Sequence, residues 1–195
     1  MNIVYTPNPV LLKKTKPVEK ITEEILTLIE EMKGALRESD IGVGLAAPQV
    51  GSTLQIFLVS PQLADKKNKD GEKISVFINP KIISKSPVKK AKTKKGKRKP
   101  SESDGKPSKS EGKLEGCLSI PDVWGPVTRS TKISLRYLDE KGNPHQDEFS
   151  GFMATIIQHE MDHLDGVLFT QRVLVQGGKL YREIAEEKRF EEIEI

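Results

Sequence analysis

The stretch Phe152–Leu164 constrains this chain more than any other. Phe152, Met153, Ala154, Ile156 and Ile157 make its first half apolar, so it reads as a largely buried helix, followed by Gly166. Its second half carries His159-Glu160-Met161-Asp162-His163. On a helix, positions i and i+4 share a face, so both imidazoles reach one metal ion. Glu160 falls about 100° round the helix, beside the ion rather than on it, where a general base for water belongs. Two surface histidines four apart would also give this spacing. Against that stand the apolar run before them and a total of 3 histidines, two of them here.

Two histidines do not hold a catalytic metal firmly; a third protein ligand is expected, with one position open. No histidine follows His163, and the later glutamates lie on a polar tail. Upstream, the candidates are His145 and Cys117. His145 lies in a polar turn-and-strand segment that suits an exposed side chain. Cys117 sits between Gly116 and Leu118-Ser119-Ile120, a setting for a partly buried thiolate ligand or for an inert core cysteine.

Around these residues the chain is organised simply. Residues 22–37 read as an amphipathic helix on Ile25, Leu28, Ile29, Met32 and Leu36, with Glu23 and Glu24 in the first turn, where the dipole favours them. Strands are expected at 54–60, 75–79, 81–84, 132–138 and near 145–149. The tail from Gly178 is expected to form one more short helix. Short strands with two or three helices and no regular alternation predict an α+β fold with antiparallel sheet. At 195 residues this is one domain.

Composition breaks at 84–113. There 12 lysines and arginines face 3 acids, leaving 20 basic and 25 acidic residues elsewhere, so the overall +4 belongs to a slightly acidic domain with a basic insert. Only Val88 and Ala91 are apolar in it. It is expected to be a disordered loop, because it cannot bury enough apolar surface to offset its ordering entropy. The single cysteine excludes an intrachain disulfide. No apolar run is long enough to span a bilayer. Residues 1–7 have neither a basic nor an apolar leader region. The expectation is a cytoplasmic protein without a membrane partner.

A third stretch, Gly42-Val43-Gly44-Leu45-Ala46-Ala47-Pro48-Gln49, places small residues where a ligand can approach the backbone, and ends on a neutral amide donor. Alone it reads equally as tight packing. It lacks a lysine after the glycines and is no phosphate loop. Taken with Glu115-Gly116-Cys117-Leu118-Ser119 and Gln158–Leu164, in this order, it resembles the peptide deformylase family closely. The resemblance covers nearly the whole chain outside 84–113. It implies antiparallel sheets packed around a central helix carrying the metal motif, with Cys117, His159 and His163 as ligands and Glu160 as acid/base. It implies further that Gln49 and the backbone N–H of Leu118 form an oxyanion hole, and that the Val43-Gly44 backbone pairs with a substrate peptide. A Cys/His2 site suits Zn(II), Fe(II), Co(II) or Ni(II); the resemblance points to Fe(II).

The expected reaction is removal of the formyl group from the N-terminal formyl-methionine of nascent proteins by metal-activated water, Glu160 moving the protons. Thr155 and Ile156, one turn before His159, are expected to border a methionine pocket. By the family pattern, Asp162 is expected to face away from the metal and to pair with Arg129. Two features depart from the family: the length of the basic insert, and an acidic tail where many bacterial members end in a basic helix. The insert's charge suggests salt-dependent attraction to ribosomal RNA, without sequence-specific nucleic-acid binding. Its plainer reading is a solvated linker, since lysine runs without aromatics make a poor stacking platform. Three other classes compete. A zinc endopeptidase shares the histidines and glutamate but not Cys117 and Gln49. A cysteine hydrolase would survive a chelator. A nucleic-acid-binding module explains the insert alone.

Overall fold

A computed structural model of the chain describes residues 1–39, 41–60, 74–88, 112–187 and 189–194. Most of the basic insert lies outside the described residues. Of its ends, Ser84 and Lys85 belong to a strand, and so does Lys113.

Two antiparallel sheets form the frame. The first contains β1 (Gly44–Ala46), β2 (Ile56–Val59), β3 (Ser75–Lys85), β6 (Lys132–Leu138) and β7 (Pro144–Ser150), in the order β1-β2-β3-β6-β7. The second contains β4 (Lys113–Cys117), β5 (Ile120–Val127), β8 (Leu180–Ile184) and β9 (Arg189–Ile193), in the order β4-β5-β8-β9. Helix α1 spans Glu23–Glu38, α2 Gly151–Leu164 and α3 Phe169–Val175. No helix among the described residues is long and apolar enough to cross a membrane.

Strand alternation decides what each face of the first sheet covers. Ile56, Leu58, Val76 and Ile78 turn to one side and pack with Ile29, Met32 and Leu36 of α1. Phe57, Val59 and Phe77 turn to the other and pack with Ala154, Ile156, Ile157 and Leu164 of α2. Phe57 and Phe77 are cross-strand partners with rings stacked at 4.7 Å. Burying each such side chain contributes roughly 1.5–3 kcal/mol. Because both faces are covered, β2 is a continuous buried apolar run. The helix α2 thus lies in the core, held against the sheet by its apolar first half. On the second sheet, Phe169 and Val173 of α3 pack with Val127 and Leu180.

The tail corrects the sequence reading: it is a hairpin, β8 with β9, not a helix. Leu180, Tyr181 and Phe190 are its buried residues, and Tyr181 pairs with Trp124 of β5. Of its glutamates, Glu187 and Glu191 meet Arg189, and Glu192 meets Lys179. Strand pairing with β5 supplies what a weakly amphipathic helix lacked. The expected strands at 75–79 and 81–84 are one strand with register shifts opposite β6.

Candidate active site and metal centre

The end of β4 carries Cys117 toward α2. The ligand atoms of Cys117, His159 and His163 lie within 4.8 Å of one another, and Cys117 Sγ is 3.2 Å from His163 Nε2. His159 Nδ1 is 3.0 Å from Glu115 Oε2, which leaves its Nε2 to face the cysteine. One thiolate and two imidazoles converging from a strand end and a helix face fit a borderline divalent cation with a position left for a further ligand. His145 is elsewhere: on β7, 3.0 Å from Asp139 and stacked on Tyr137.

Electrostatics sharpen the set. Burial raises the Cys117 thiol, but the charge of His163 and hydrogen bonds with both histidines outweigh it and bring it down to about 5. A thiolate, the ligating form, is therefore present at neutral pH. Burial lowers the His159 imidazole, while Cys117 and Glu115 raise it further in the other direction. Glu160 is 3% exposed, and burial pushes its carboxyl up to about 7 against the pull of His159 and His163. Its Oε2 is buried without a hydrogen-bond partner. Its Oε1 lies against Gly44, where an added Cβ would collide with it, so any larger residue at that point of β1 would push the carboxylate aside.

Gln49 is buried in the 3-10 turn after β1. Its Oε1 accepts from the Ala46 N–H at 2.8 Å, which fixes the amide with Nε2 pointing at Cys117 Sγ, 3.4 Å away. Leu118 follows the cysteine and lines the same cavity, of about 440 Å³. Val43, Gly44, Thr155 and Ile156 line it as well, as do Glu160 and His159. It opens between β1 and β4, the edge strands of the two sheets. The Val43 carbonyl accepts the Ser60 N–H at 2.9 Å, so alternation along β1 turns the main-chain groups of Gly44 outward, away from β2.

Behind the ligands runs a chain of charges that sequence reasoning only half found. Arg129 grips Glu115 with two bonds, Nε to Oε1 at 2.5 Å and Nη2 to Oε2 at 2.7 Å, and reaches Asp162 with Nη1 at 2.8 Å. Arg172 of α3 holds the other side of Asp162 at 2.6 and 3.0 Å. Burial works against both carboxylates, yet the guanidiniums keep them below their ordinary range. The Asp162–Arg129 pair was expected; Glu115 as the partner of His159, and Arg172, were not. Glu115 gave no periodic signal, because its strand carries a register shift between Glu115 and Cys117.

A family model described as polypeptide deformylase matches residues 1–177. The chain belongs to the polypeptide deformylase family. As a peptide deformylase it is an enzyme, a metal-dependent amide hydrolase. Among similar proteins, the peptide deformylase of Pseudothermotoga lettingae is 38% identical over 162 residues, 83% of this chain and 76% of that one. Peptide deformylase 1 of Clostridium perfringens is 37% identical, over 89% of this chain and 97% of that one. The crystal structure of the Thermotoga maritima peptide deformylase superposes with a TM-score of 0.69 at 32% identity, covering 88% of this chain and 95% of that one. A peptide deformylase from Synechococcus elongatus, solved in complex with actinonin, gives 0.69 at 34% identity, covering 88% and 79%.

Proposed function

We propose that this enzyme hydrolyses the formyl amide of N-terminal formyl-methionine on nascent peptides, in the cytoplasm, with one divalent metal, Fe(II), held by Cys117, His159 and His163. The observation that carries the reading is the meeting of three things at one site: the Cys/His2 cluster, the buried Glu160 carboxylate and the fixed Gln49 amide. When bound there, the cation supplies Lewis acidity, making water a nucleophile at neutral pH.

The residues of the chain do the rest. Glu160 takes a proton from the attacking water, and the burial that raises its carboxyl suits a group that must accept and then return it. The water oxygen bonds to the formyl carbon. Gln49 Nε2 and the Leu118 N–H donate to the oxygen that gains charge; such a donor is worth about 10²–10³ in kcat. The C–N bond then breaks, Glu160 passes the proton to the methionine amine, and formate leaves. Thr155 and Ile156, buried in the cavity wall, border the methionine side chain. The peptide beyond it lies as an added strand along the outward edge at Gly44.

Formate release from a formyl-Met peptide, together with metal content, on protein purified without oxygen tests the reading directly. Glu160→Gln is expected to keep its metal and lose nearly all turnover. Near-normal activity in that variant ends the assignment of Glu160. Zinc in place of iron at full activity ends the assignment of the metal.

A further inference from the structure

The three motif segments end on Gln49, Ser119 and Leu164, and each of these residues gives its main-chain carbonyl to the same N-terminal arm. The Val4 N–H donates to Gln49 O at 2.8 Å, the Thr6 N–H to Ser119 O at 3.0 Å, and the Thr15 N–H to Leu164 O at 2.9 Å. The buried Thr15 hydroxyl adds a second bond to Leu164 O, also 2.9 Å. Behind the site the arm is anchored again: Lys16 N–H donates to Thr53 O at 2.7 Å, and Gln55 N–H to Lys16 O at 2.8 Å. Its approach to α2 is close. A Cβ at Gly166, which has φ +71°, would lie 2.5 Å from Leu12 O.

These bonds answer a mechanical question posed by the fold. Gln49 stands beside an edge strand of the first sheet, Cys117 ends an edge strand of the second with Leu118 next to it, and the histidines stand on α2. Among the described strands no ladder joins the two sheets at the cavity. The spacing of Gln49 from Leu118, and of both from the histidines, is therefore not set by β pairing. Arg129 ties the cysteine strand to α2 through Glu115 and Asp162. The arm binds the main chain of all three segments at their last residues, and so bears on the Gln49 segment as well.

We infer that the arm Val4–Thr15 is a positioning element of the active site, holding the oxyanion donors in register with the metal-bearing helix. The inference rests on the reading of Gln49 and Leu118 given above. Val4 and Thr6 touch neither reacting atoms nor ligands; they act through the carbonyls they bind. Displacing a donor by about 1 Å through a remote change costs up to ~10²-fold in rate. Such a loss falls on kcat, because the donors act on charge that develops in the transition state.

The test compares Val4→Pro, which lacks the N–H, with Val4→Ala, which keeps it. Val4→Pro is expected to lose about tenfold or more in kcat on a formyl-Met tripeptide, with KM and metal content at the wild-type level. Val4→Ala is expected to turn over at the wild-type rate. Wild-type kcat in Val4→Pro overturns the inference, as does an equal loss in Val4→Ala or a loss of metal in step with activity. Should Val4→Pro fail to fold, hydrogen exchange on the wild-type protein decides. The amides of Val4, Thr6 and Thr15 should be protected like those of Phe57 and Leu58 in β2, and free exchange there overturns it. Gln49→Ala separates the two levels of argument. If it keeps full turnover, the role of Gln49 fails; if it loses turnover while Val4→Pro does not, the arm fails.

Discussion

Glu115 Oε2 stands 3.0 Å from His159 Nδ1 while both oxygens of the same carboxylate are held by Arg129. The carboxylate thereby fixes the ring's tautomer and leaves the opposite nitrogen for the cation, the usual service of an outer carboxylate to a ligating histidine. Its own position is fixed by a guanidinium that is also bonded to Asp162, on the helix that carries the histidine. The strand that supplies the cysteine and the helix that supplies the imidazoles are thus tied by one arginine.

Glu115→Gln keeps the shape and removes the charge. Metal affinity should fall about 10–100-fold with the three ligands intact. Competition with a chelator of known affinity measures this, and an unchanged dissociation constant removes Glu115 from the site.

The pairing of Arg129 with Asp162 should appear as coupling. Their side chains are 7% and 10% exposed, so the charges interact through little water. A double-mutant cycle on denaturant stability is expected to give about 1–3 kcal/mol. Arg172, 43% exposed, should couple to Asp162 less strongly. Additive effects of the Arg129 and Asp162 substitutions contradict the arrangement.

Part of this was legible in the sequence and part was not, for physical reasons. Residues 22–37 announce α1 (Glu23–Glu38) because five apolar side chains fall on one stripe. The histidines announce their cluster because a helix makes i and i+4 neighbours whatever surrounds it. Strands β4 and β5 were hidden: Lys113–Val127 mixes glycine, proline and a register shift between Glu115 and Cys117, and shows no clean alternation. The tail was misread because its strands are defined by pairing with β5, a long-range contact that leaves no local period. Arg172 gave no signal at all, since its role depends on α3 packing beside α2. Apart from that of the Thr15 hydroxyl, the arm's bonds are main-chain bonds, and no side-chain pattern encodes them.

Acid should act on one turn in a predictable direction. Asp139 accepts from the Asn143 side chain and from the backbone N–H groups of Lys141 and Asn143, and meets His145. These bonds, led by that of the Asn143 side chain, hold its carboxyl well below the ordinary range. A depressed folded-state value contributes stability above the unfolded value of about 3.9 and loses it as pH falls further toward the folded one. Asp139→Ala should therefore lower Tm at neutral pH, and the gap to the wild type should narrow below about pH 4. A gap that widens in acid reverses the sign and refutes the assignment.

The basic insert supplies the last prediction. Its described ends lie on β3, in the first sheet, and on β4, whose Lys113 lines the cavity. Nothing in the Cys/His2 cluster, Glu160, Gln49 or the arm comes from residues 89–111. Lengthening a surface connection costs only about 0.6 kcal/mol per doubling. Replacing 89–111 with a short Gly/Ser connection should accordingly preserve folding, metal content and turnover on a free formyl-Met tripeptide. Loss of metal would mean that the segment supports Cys117 directly. Co-sedimentation with ribosomes addresses its charge: attraction to phosphate releases counterions, so any binding it confers must fall steeply between low and moderate salt. Equal sedimentation of the intact and shortened proteins at both salts assigns the segment as a linker, the outcome its lysine-rich, aromatic-free composition favours.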